Sequence, residues 1–139
     1  MPSTPADAKG LLKSAIRDDD PVIFIEQERM YGYKGEVPDD PDFTIPLGVA
    51  DVKREGKDVT IVARSLMVPI ALKAAEQLEQ QGVSCEVIDP RTIRPLDIDT
   101  IVESVKKTNR VVVAEESHPV CSVGAEISTQ IMERAFDYL

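Results

Sequence analysis

The sequence predicts an α/β fold in which a mostly parallel sheet lies between two layers of helices, a three-layer sandwich. Short β-branched runs alternate with amphipathic helical patterns through the second half of the chain, and this alternation is typical of parallel strands joined by helical crossovers. The composition is 42% hydrophobic with 4% aromatic residues and no Trp, which favours a core of Val, Ile, Leu and Ala. The chain of 139 residues has about the length of one ordinary domain.

Charge and cysteine content exclude several classes of protein. The formal net charge is −9, so we expect no nucleic-acid partner, because such binding needs clustered Lys and Arg. Cys85 and Cys121 form neither a disulfide framework nor a zinc-binding spacing, which favours a reducing, intracellular location. No apolar stretch reaches the length of a membrane span and no signal-peptide pattern opens the sequence. The sequence therefore predicts a soluble protein with no membrane partner.

The first predicted helix starts after Thr4 and ends near Arg17. Its start combines a hydroxyl cap, Pro5 at the first helical position and an acid in the first turn. Three aspartates and a proline, residues 18–21, end it. Residues 22–25 (VIFI) then predict a short buried strand.

The stretch from residue 26 to residue 57 has no sustained hydrophobic period and is interrupted by Gly and Pro. Such a stretch is long for a loop inside one compact domain, and a connection between domains explains it better. We therefore predict a short first unit over residues 1–26, a linker over 27–57 and a main domain over 58–139.

The main domain predicts three strands, each followed by a helix. An apolar face at helical spacing follows the first strand and ends at Gly82, where a helix terminus favours a left-handed residue. Ile98, Ile101, Val102 and Val105 stand at the offsets of an amphipathic helix. The predicted strands cover residues 58–63, 83–88 and 111–114, and the predicted helices cover 68–78, 98–105 and Gly124 to the chain end.

In such sheets, ligands bind at the carboxyl ends of the strands. The last of these ends reads EESHPVCSVG and holds the only His. His118 and Cys121 could form a base and nucleophile pair. Ordinary loop residues are the favoured interpretation, because such pairs usually come from different segments and need a third, orienting group.

Acidic pairs and glycine-rich starts give further candidates. Glu115-Glu116 and Glu26-x-Glu28 could do acid and base work, although solvated acids are the simpler interpretation on an acidic chain. The sequence contains neither GxGxxG nor GxxxxGK[ST], the signatures of dinucleotide and P-loop sites. Residues 123–126 at a helix start could bind an anion, but they could equally do no more than begin the helix.

The stretch DPRTIRPLD, residues 89–97, is a rigid and charged loop. Its prolines exclude a helix. Arg91 and Arg94 could clamp an anionic substrate. We expect instead a structural brace in which Asp89 and Asp97 supply the ion pairs, since the planar guanidinium favours fixed carboxylate partners.

Several long runs resemble the beta subunit of the decarboxylating first component of pyruvate dehydrogenase. They are DAKGLLKSAIRDDDPVIFIE, IPLGVADVKREGKDVTIVA, GVSCEVIDPRTIRPLD, ESVKKTNRVVVAEE and VGAEISTQIMERAFDYL. They occur in the family's order and span nearly the whole chain. Beta subunits of branched-chain 2-oxoacid and acetoin dehydrogenases are similar over the same runs, so these substrates remain alternatives.

The resemblance implies a thiamine-diphosphate enzyme with magnesium, built with an alpha subunit as an α2β2 heterotetramer. Such an enzyme decarboxylates pyruvate and passes the acetyl group to the lipoyl group of the second component, dihydrolipoamide acyltransferase. Residues 1–26 would be the remnant of a pyrimidine-binding domain, and residues 58–139 a transketolase-type C-terminal domain without its last strand. The cofactor-activating glutamate would lie outside the sequence, so the resemblance assigns no catalytic and no cofactor-binding residue here.

The resemblance also implies one metal site. Some family members bind a structural potassium ion at the turn that matches Ala15, Ile16, Asp18 and Asp20, and carbonyl and carboxylate oxygens suit such a cation. An acidic helix end without an ion is the alternative.

The non-enzymatic alternative is an oligomerisation and docking module. Apolar surface left uncovered tends to bind partners, so we expect the isolated chain to form a homo-oligomer. The family implies a cytoplasmic location in bacteria and the mitochondrial matrix in eukaryotes.

Overall fold

The computed structural model describes residues 1–139 and contains one four-stranded sheet with helices on both faces. The strands are β1 (Asp51–Arg54), β2 (Val59–Ala63), β3 (Cys85–Asp89) and β4 (Val111–Ala114). The helices are α1 (Pro5–Arg17), α2 (Met67–Glu79), α3 (Ile98–Thr108) and α4 (Val123–Ala135). Two 3₁₀ turns, Glu28–Met30 and Phe136–Tyr138, complete the regular structure.

The sheet is mostly parallel, as predicted. Its strand order is β1-β3-β2-β4. β2 lies parallel to both β3 and β4, whereas β1 pairs antiparallel with the outer side of β3. The parallel strands are therefore joined by helices, and their carboxyl ends lie at one edge of the sheet.

Two apolar cores, one on each face of the sheet, make the fold a three-layer sandwich. On one face α2 packs on β2 and β3, with Ala75 and Val87 fully buried. On the other face α3 and α4 pack on each other and on β2 and β4, around Ile101 and Val105. The predicted fold class is thereby confirmed.

α1 starts where the sequence predicts. Thr4 is its N-cap, and the Thr4 hydroxyl accepts a hydrogen bond of 3.0 Å from the Asp7 N–H. Leu11 is buried on its inner face. Gly10 lies so close to the linker that a Cβ there would be 2.5 Å from Ile45, and its carbonyl accepts a hydrogen bond from the Ile45 N–H.

Two strand predictions need correction. Residues 22–25 form no strand: they are mostly exposed and make no backbone–backbone hydrogen bond, because no other strand of this chain lies beside them. Conversely, β1 lies in the stretch assigned to the linker. Its sequence DVKR is charged, as is common at sheet edges, so no hydrophobic alternation marks it.

The remaining helices and strands lie close to their predicted positions. α4 ends at Ala135 rather than at the chain end, and the last turn is 3₁₀. None of the four helices is both long and apolar enough to cross a lipid bilayer.

Candidate functional site at the carboxyl ends of the strands

Each parallel strand is followed by a backbone turn that needs a left-handed residue. Ser65 follows β2, Arg91 follows β3 and Cys121 lies in the loop after β4, with φ of 50°, 59° and 58°. Left-handed backbone is unfavourable for residues other than glycine, and such strain clusters at functional sites. These three loops are therefore the candidate region for a binding or catalytic site.

The loop after β4 is organised around Glu115. Its Oε2 accepts hydrogen bonds from the Arg64 guanidinium at 2.8 Å, the Ser117 hydroxyl at 3.1 Å and the Gly124 N–H at 3.0 Å. Burial raises the pKa of Glu115, but the hydrogen bonds from Ser122, Arg64, Gly124 and Ser117 outweigh it and lower the pKa to about 2. Glu115 is thus an ionised carboxylate that caps α4.

This arrangement leaves no free cation at the loop. Arg64 and Glu115, with side chains 13% and 12% exposed, neutralise each other, beside a cavity of about 250 Å³ that Glu116 also lines. A side chain at residue 124 would collide with Glu115, since a Cβ on Gly124 would lie 2.5 Å from Oε1. The Arg64 guanidinium and the Gly124 N–H could each have bound an anion, but both donate to Glu115 and so hold the loop after β4 on α4.

His118 and Cys121 do not form a bonded pair. Both side chains are exposed, and neither donates nor accepts a hydrogen bond. Glu26 and Glu28 are also exposed; the Glu26 carboxylate accepts a hydrogen bond of 3.2 Å from the Tyr31 hydroxyl. His118 and Cys121 therefore lack the orienting contact that a nucleophile and its base need.

The loop DPRTIRPLD is a brace, but with other partners than expected. Arg91 donates from Nε to Asp7 at 3.0 Å and from Nη2 to Asp51 at 2.8 Å. Asp89 bonds only to the Arg91 backbone N–H. Arg94 takes part in no ion pair or side-chain hydrogen bond and is exposed. The expected side-chain pairs with Asp89 and Asp97 are therefore wrong.

Asp97 has a different role from the expected one. Its carboxylate caps α3 by accepting the Thr100 N–H at 3.2 Å and also accepts the Ala50 N–H at 2.9 Å. Burial raises its pKa, but these hydrogen bonds outweigh burial and lower it. Asp97 thus fixes the start of α3 to the residue that precedes β1.

The proposed potassium ligands lie at the end of α1. Asp18 is the C-cap, and its Oδ1 accepts a hydrogen bond of 2.9 Å from the Asp20 N–H. Ala15 and Ile16 belong to the last turn, whose carbonyls lack intrahelical partners. No group of three or more His, Cys, Asp or Glu side chains is arranged to hold a metal ion, so carbonyl oxygens would have to complete a shell.

The residues that sequence reasoning missed are Asp7, Asp51 and Lys53. Asp7 and Lys53 lie 46 positions apart in the chain and form a salt bridge of 3.0 Å. Asp7 reads locally as an acid in the first turn of a helix, and the other two lie in the charged edge strand. Since the contact is long-range, no spacing in the sequence marks it.

We predict that Glu115→Gln destabilises the folded chain by about 1–3 kcal/mol at pH 7, because three donors lose an ionised acceptor. A carboxyl group whose pKa is lowered on folding stabilises above its unfolded pKa, here 4.5, and loses this contribution as the pH falls towards 2. Urea denaturation at several pH values should show the difference between variant and wild type shrinking below pH 4.5.

The matched control for this prediction is Glu116→Gln. Its carboxylate is exposed and accepts only from the exposed Gln27 amide, at 2.9 Å, so we expect a change within about 0.5 kcal/mol. Equal effects of the two substitutions would contradict the role given to Glu115.

Curated relatives share the whole length of the chain. It is 56% identical, over 100% of its residues and 30% of the relative, to the pyruvate dehydrogenase E1 component subunit beta of Rhizobium meliloti (strain 1021). It is 53% identical over 99% of the chain to the mitochondrial subunit of that name from Dictyostelium discoideum, covering 40% of it. The acetoin:2,6-dichlorophenolindophenol oxidoreductase subunit beta of Bacillus subtilis (strain 168) is 50% identical over 100% of the chain and 40% of that protein. The chain spans less than half the length of these relatives.

A solved structure and a family model agree with these relatives. The structure, described as a split gene transketolase, inactive beta4 tetramer, matches 96% of this chain and 43% of its own, with a TM-score of 0.77 and 32% sequence identity. The family model of the transketolase C-terminal domain matches residues 48–139, which include the whole sheet. The chain therefore belongs to the transketolase C-terminal domain family.

Proposed function

We propose that this chain is part of the beta subunit of a thiamine-diphosphate-dependent pyruvate dehydrogenase, in which it supports assembly of an α2β2 heterotetramer. That assembly would decarboxylate pyruvate oxidatively and transfer the acetyl group to lipoyl groups of a dihydrolipoamide acyltransferase. It would lie in the cytoplasm of a bacterium or the mitochondrial matrix of a eukaryote. The observation that carries an assembly role is the exposed apolar segment that follows α1.

This segment, residues 21–25, exposes apolar side chains and unpaired backbone groups. Ile23 is 87% exposed, and Ile16 in the last turn of α1 is 74% exposed. The backbone of the segment makes no backbone–backbone hydrogen bond, although unpaired backbone groups beside apolar side chains favour pairing with another strand. A groove of about 620 Å³ separates the segment from residues 92–95. Both features suit a surface covered by another part of the subunit or by a partner.

The residues of this chain do not fit thiamine diphosphate and magnesium by themselves. No cluster of His, Cys, Asp or Glu could hold the metal ion. Arg64, the cation at the carboxyl end of β2, is already paired with Glu115, so no free positive charge there awaits a diphosphate. We therefore assign the cofactors to the assembled parent enzyme, and derive no catalytic step from this chain.

The direct test is calorimetric titration of thiamine diphosphate with magnesium into the chain alone and into a mixture with purified alpha subunit. We expect no saturable binding to the chain alone. A matched sample, in which the beta subunit is extended by its pyrimidine-binding domain and mixed with the alpha subunit, should bind the cofactor and decarboxylate pyruvate.

The outcomes of these measurements test the location of the cofactor site and the proposed function separately. Saturable binding to the chain alone would contradict the assignment of the cofactor site to the assembled enzyme. Failure of the extended tetramer to act on pyruvate would overturn the proposed function itself. The relatives named acetoin:2,6-dichlorophenolindophenol oxidoreductase subunit beta, at 50% and 51% identity, favour acetoin as a second candidate substrate. The kcat/KM of the extended tetramer for acetoin against pyruvate distinguishes the two.

We also propose that the chain in isolation forms a homo-oligomer through the segment 21–25. The solved relative described as a beta4 tetramer supports self-association of this kind of subunit. Ile23→Lys places a charge on the most exposed apolar side chain, and we expect it to lower the oligomer mass measured by light scattering to that of a monomer.

Val120→Lys is the control for this experiment. Val120 is 84% exposed but lies in the loop after β4, so its substitution should leave the oligomer unchanged. A monomeric wild-type chain at high concentration would overturn self-association, and an oligomer that survives Ile23→Lys but not Val120→Lys would place the interface elsewhere.

The potassium site at Ala15, Ile16, Asp18 and Asp20 is likewise a proposal. It is supported by the helix-end carbonyls and by the turn that Asp18 and Asp20 close through a hydrogen bond of 2.9 Å. A cation that binds only the folded chain stabilises it by about 1.4 kcal/mol at ten times its Kd. We predict a higher Tm in KCl than in choline chloride at equal ionic strength.

Asp18→Asn should abolish this difference, whereas Asp39→Asn, an exposed aspartate in the linker, should retain it. A wild-type Tm that is the same in both salts would mean that the acidic helix end binds no ion.

A further inference from the structure

Five charged side chains meet where α1 lies against the edge of the sheet. We call Asp7, Asp51, Asp89, Lys53 and Arg91 the carboxyl cluster. Lys53 Nζ lies 3.0 Å from Asp7 and 2.7 Å from Asp51. Arg91 lies 3.0 Å from Asp7 and 2.8 Å from Asp51. Lys53 and the Arg91 guanidinium thus each bind both Asp7 and Asp51. Neither of these charged groups lies within hydrogen-bond distance of the third acid, Asp89.

The sheet register brings two of the acids face to face. β1 and β3 run antiparallel, and Asp51 is directly opposite Asp89. Side chains at such positions point to the same face and lie close together, and like charges there repel. Lys53 and Arg91 pair with Asp51 and Asp7, so Asp89 is the one acid of the three without a cationic side chain at hydrogen-bond distance.

The surroundings of Asp89 fit a neutral acid better than a carboxylate. Asp89 is completely buried, and its Oδ2 has no hydrogen-bond partner. The nearest cation, Lys53 Nζ, is 4.0 Å away. Its other oxygen, Oδ1, accepts the Arg91 N–H at 2.9 Å. A buried charge with an unpaired oxygen is costly, and such groups take up a proton instead.

We propose that Asp89 is the proton-binding member of the carboxyl cluster, and that this proton keeps α1 bound to the edge of the sheet. Asp7 is the link between the two: it is 1% exposed, belongs to α1 and lies in the same cluster. When Asp89 loses its proton, a second negative charge appears beside Asp7, and the two repel across the junction between the helix and the sheet.

The directions of the two pKa shifts agree with this assignment. Burial raises the pKa of Asp89 above its ordinary value of 3.8, and the charge of Asp7 adds to this effect. Together they outweigh the Ser3 hydroxyl, the Arg91 N–H and the charge of Lys53, which lower the pKa. For Asp7 burial also raises the pKa, but hydrogen bonds from Thr4 and Lys53 and the charges of Lys53 and Arg91 outweigh it and lower the pKa. Within the cluster, the pKa of Asp89 is therefore raised and the pKa of Asp7 is lowered from the same ordinary value.

The polar and charged groups around Asp89 come from the N-terminal segment, from β1 and from the loop after β3. From the N-terminal segment come Asp7, the hydroxyl of Ser3, which donates to Asp7 at 3.0 Å, and the Met1 amine, which donates to the Arg91 carbonyl at 2.8 Å. Burial lowers the pKa of this amine although the charges of Asp89 and Asp7 raise it, and it forms no ion pair within 4.0 Å. β1 contributes the acid and the lysine already described, and the loop after β3 contributes Arg91. An N-terminal extension removes the amine, and the experiment includes it.

The shifted pKa values of Asp89 and Asp7 change the stability of the fold in opposite directions as the pH rises. A carboxyl group whose pKa is raised on folding stabilises fully below its unfolded pKa of 3.8, and this contribution is lost as the pH rises through the folded value. Asp7 acts in the opposite sense, because its lowered pKa stabilises above 3.8 and is lost on acidification. Substitution of each acid by the isosteric amide separates the two effects.

The experiment is a ¹³C NMR titration of the aspartate carboxyl groups in the folded chain, with and without an N-terminal extension. We expect the Asp89 signal to titrate above pH 3.8 in both forms, and the Asp7 signal below it. An Asp89 midpoint at or below 3.8 in the extended chain would overturn the proposal. This measurement uses the wild type, so it does not depend on the folding of any variant.

Asp89→Asn and Asp7→Asn test the consequence for α1. The amide at residue 89 keeps the acceptor for the Arg91 N–H and mimics the neutral acid. In the wild type the hydrogen-exchange protection factor of the Leu11 amide should fall several-fold as the pH rises through the Asp89 midpoint, and in Asp89→Asn it should stay constant. Asp7→Asn should lower protection at every pH above 3.8, since it removes the negative charge that pairs with Lys53 and Arg91. A wild type and Asp89→Asn with the same pH dependence would show that the proton on Asp89 does not hold α1.

Discussion

The structure depends most on the guanidinium of Arg91, which binds Asp7 of α1 and Asp51 of β1 at the same time. These acids lie 84 and 40 positions from it in the chain, so one side chain joins three segments that no local interaction would bring together. Its planar fork can serve two carboxylates at once, which a lysine ammonium does with less geometric control. The left-handed backbone of Arg91 and the Asp89 oxygen that accepts its N–H aim the fork at both acids. Removing one member of such a partly buried set leaves charge without a partner, which is usually strongly destabilising.

The sequence predicts well what depends on local pattern and poorly what depends on distant partners. The strands β2, β3 and β4 and the helices between them follow from β-branched runs and helical periods, and the structure confirms them. β1 escaped prediction because an edge strand needs no hydrophobic alternation when charged side chains protect it. Residues 22–25 have the pattern of a strand, but a pattern does not tell which chain supplies the neighbouring strand. The brace was predicted in kind from the two arginines, and its acids were wrong because sequence proximity is a poor guide to ion pairs.

At the carboxyl end of β4 the charged side chains serve the structure of the loop. Glu115 has a pKa lowered to about 2 and serves as a helix cap, while Arg64 is its counter-ion. An acid that stays ionised throughout the ordinary pH range cannot exchange a proton with a substrate at neutral pH. His118 and Cys121 lie beyond this network in the same loop, without the orienting contacts that a nucleophile and its base need. The loop is held by the ion pair of Glu115 with Arg64 and by the hydrogen bonds of Glu115 to Ser117 and Gly124.

Helix α1 connects the buried charges to that apolar surface. Asp7 in its first turn belongs to the carboxyl cluster, and the extended segment with Ile23 begins just after its last turn. A helix of 13 residues is about 20 Å long, so a small change of angle at the cluster moves the far end of α1 by a larger distance. The linker contacts α1 near the middle of the helix, where the Ile45 N–H donates a hydrogen bond to the Gly10 carbonyl. The ion pairs at one end of α1 and the exposed apolar segment that follows its other end are therefore joined by a single helix.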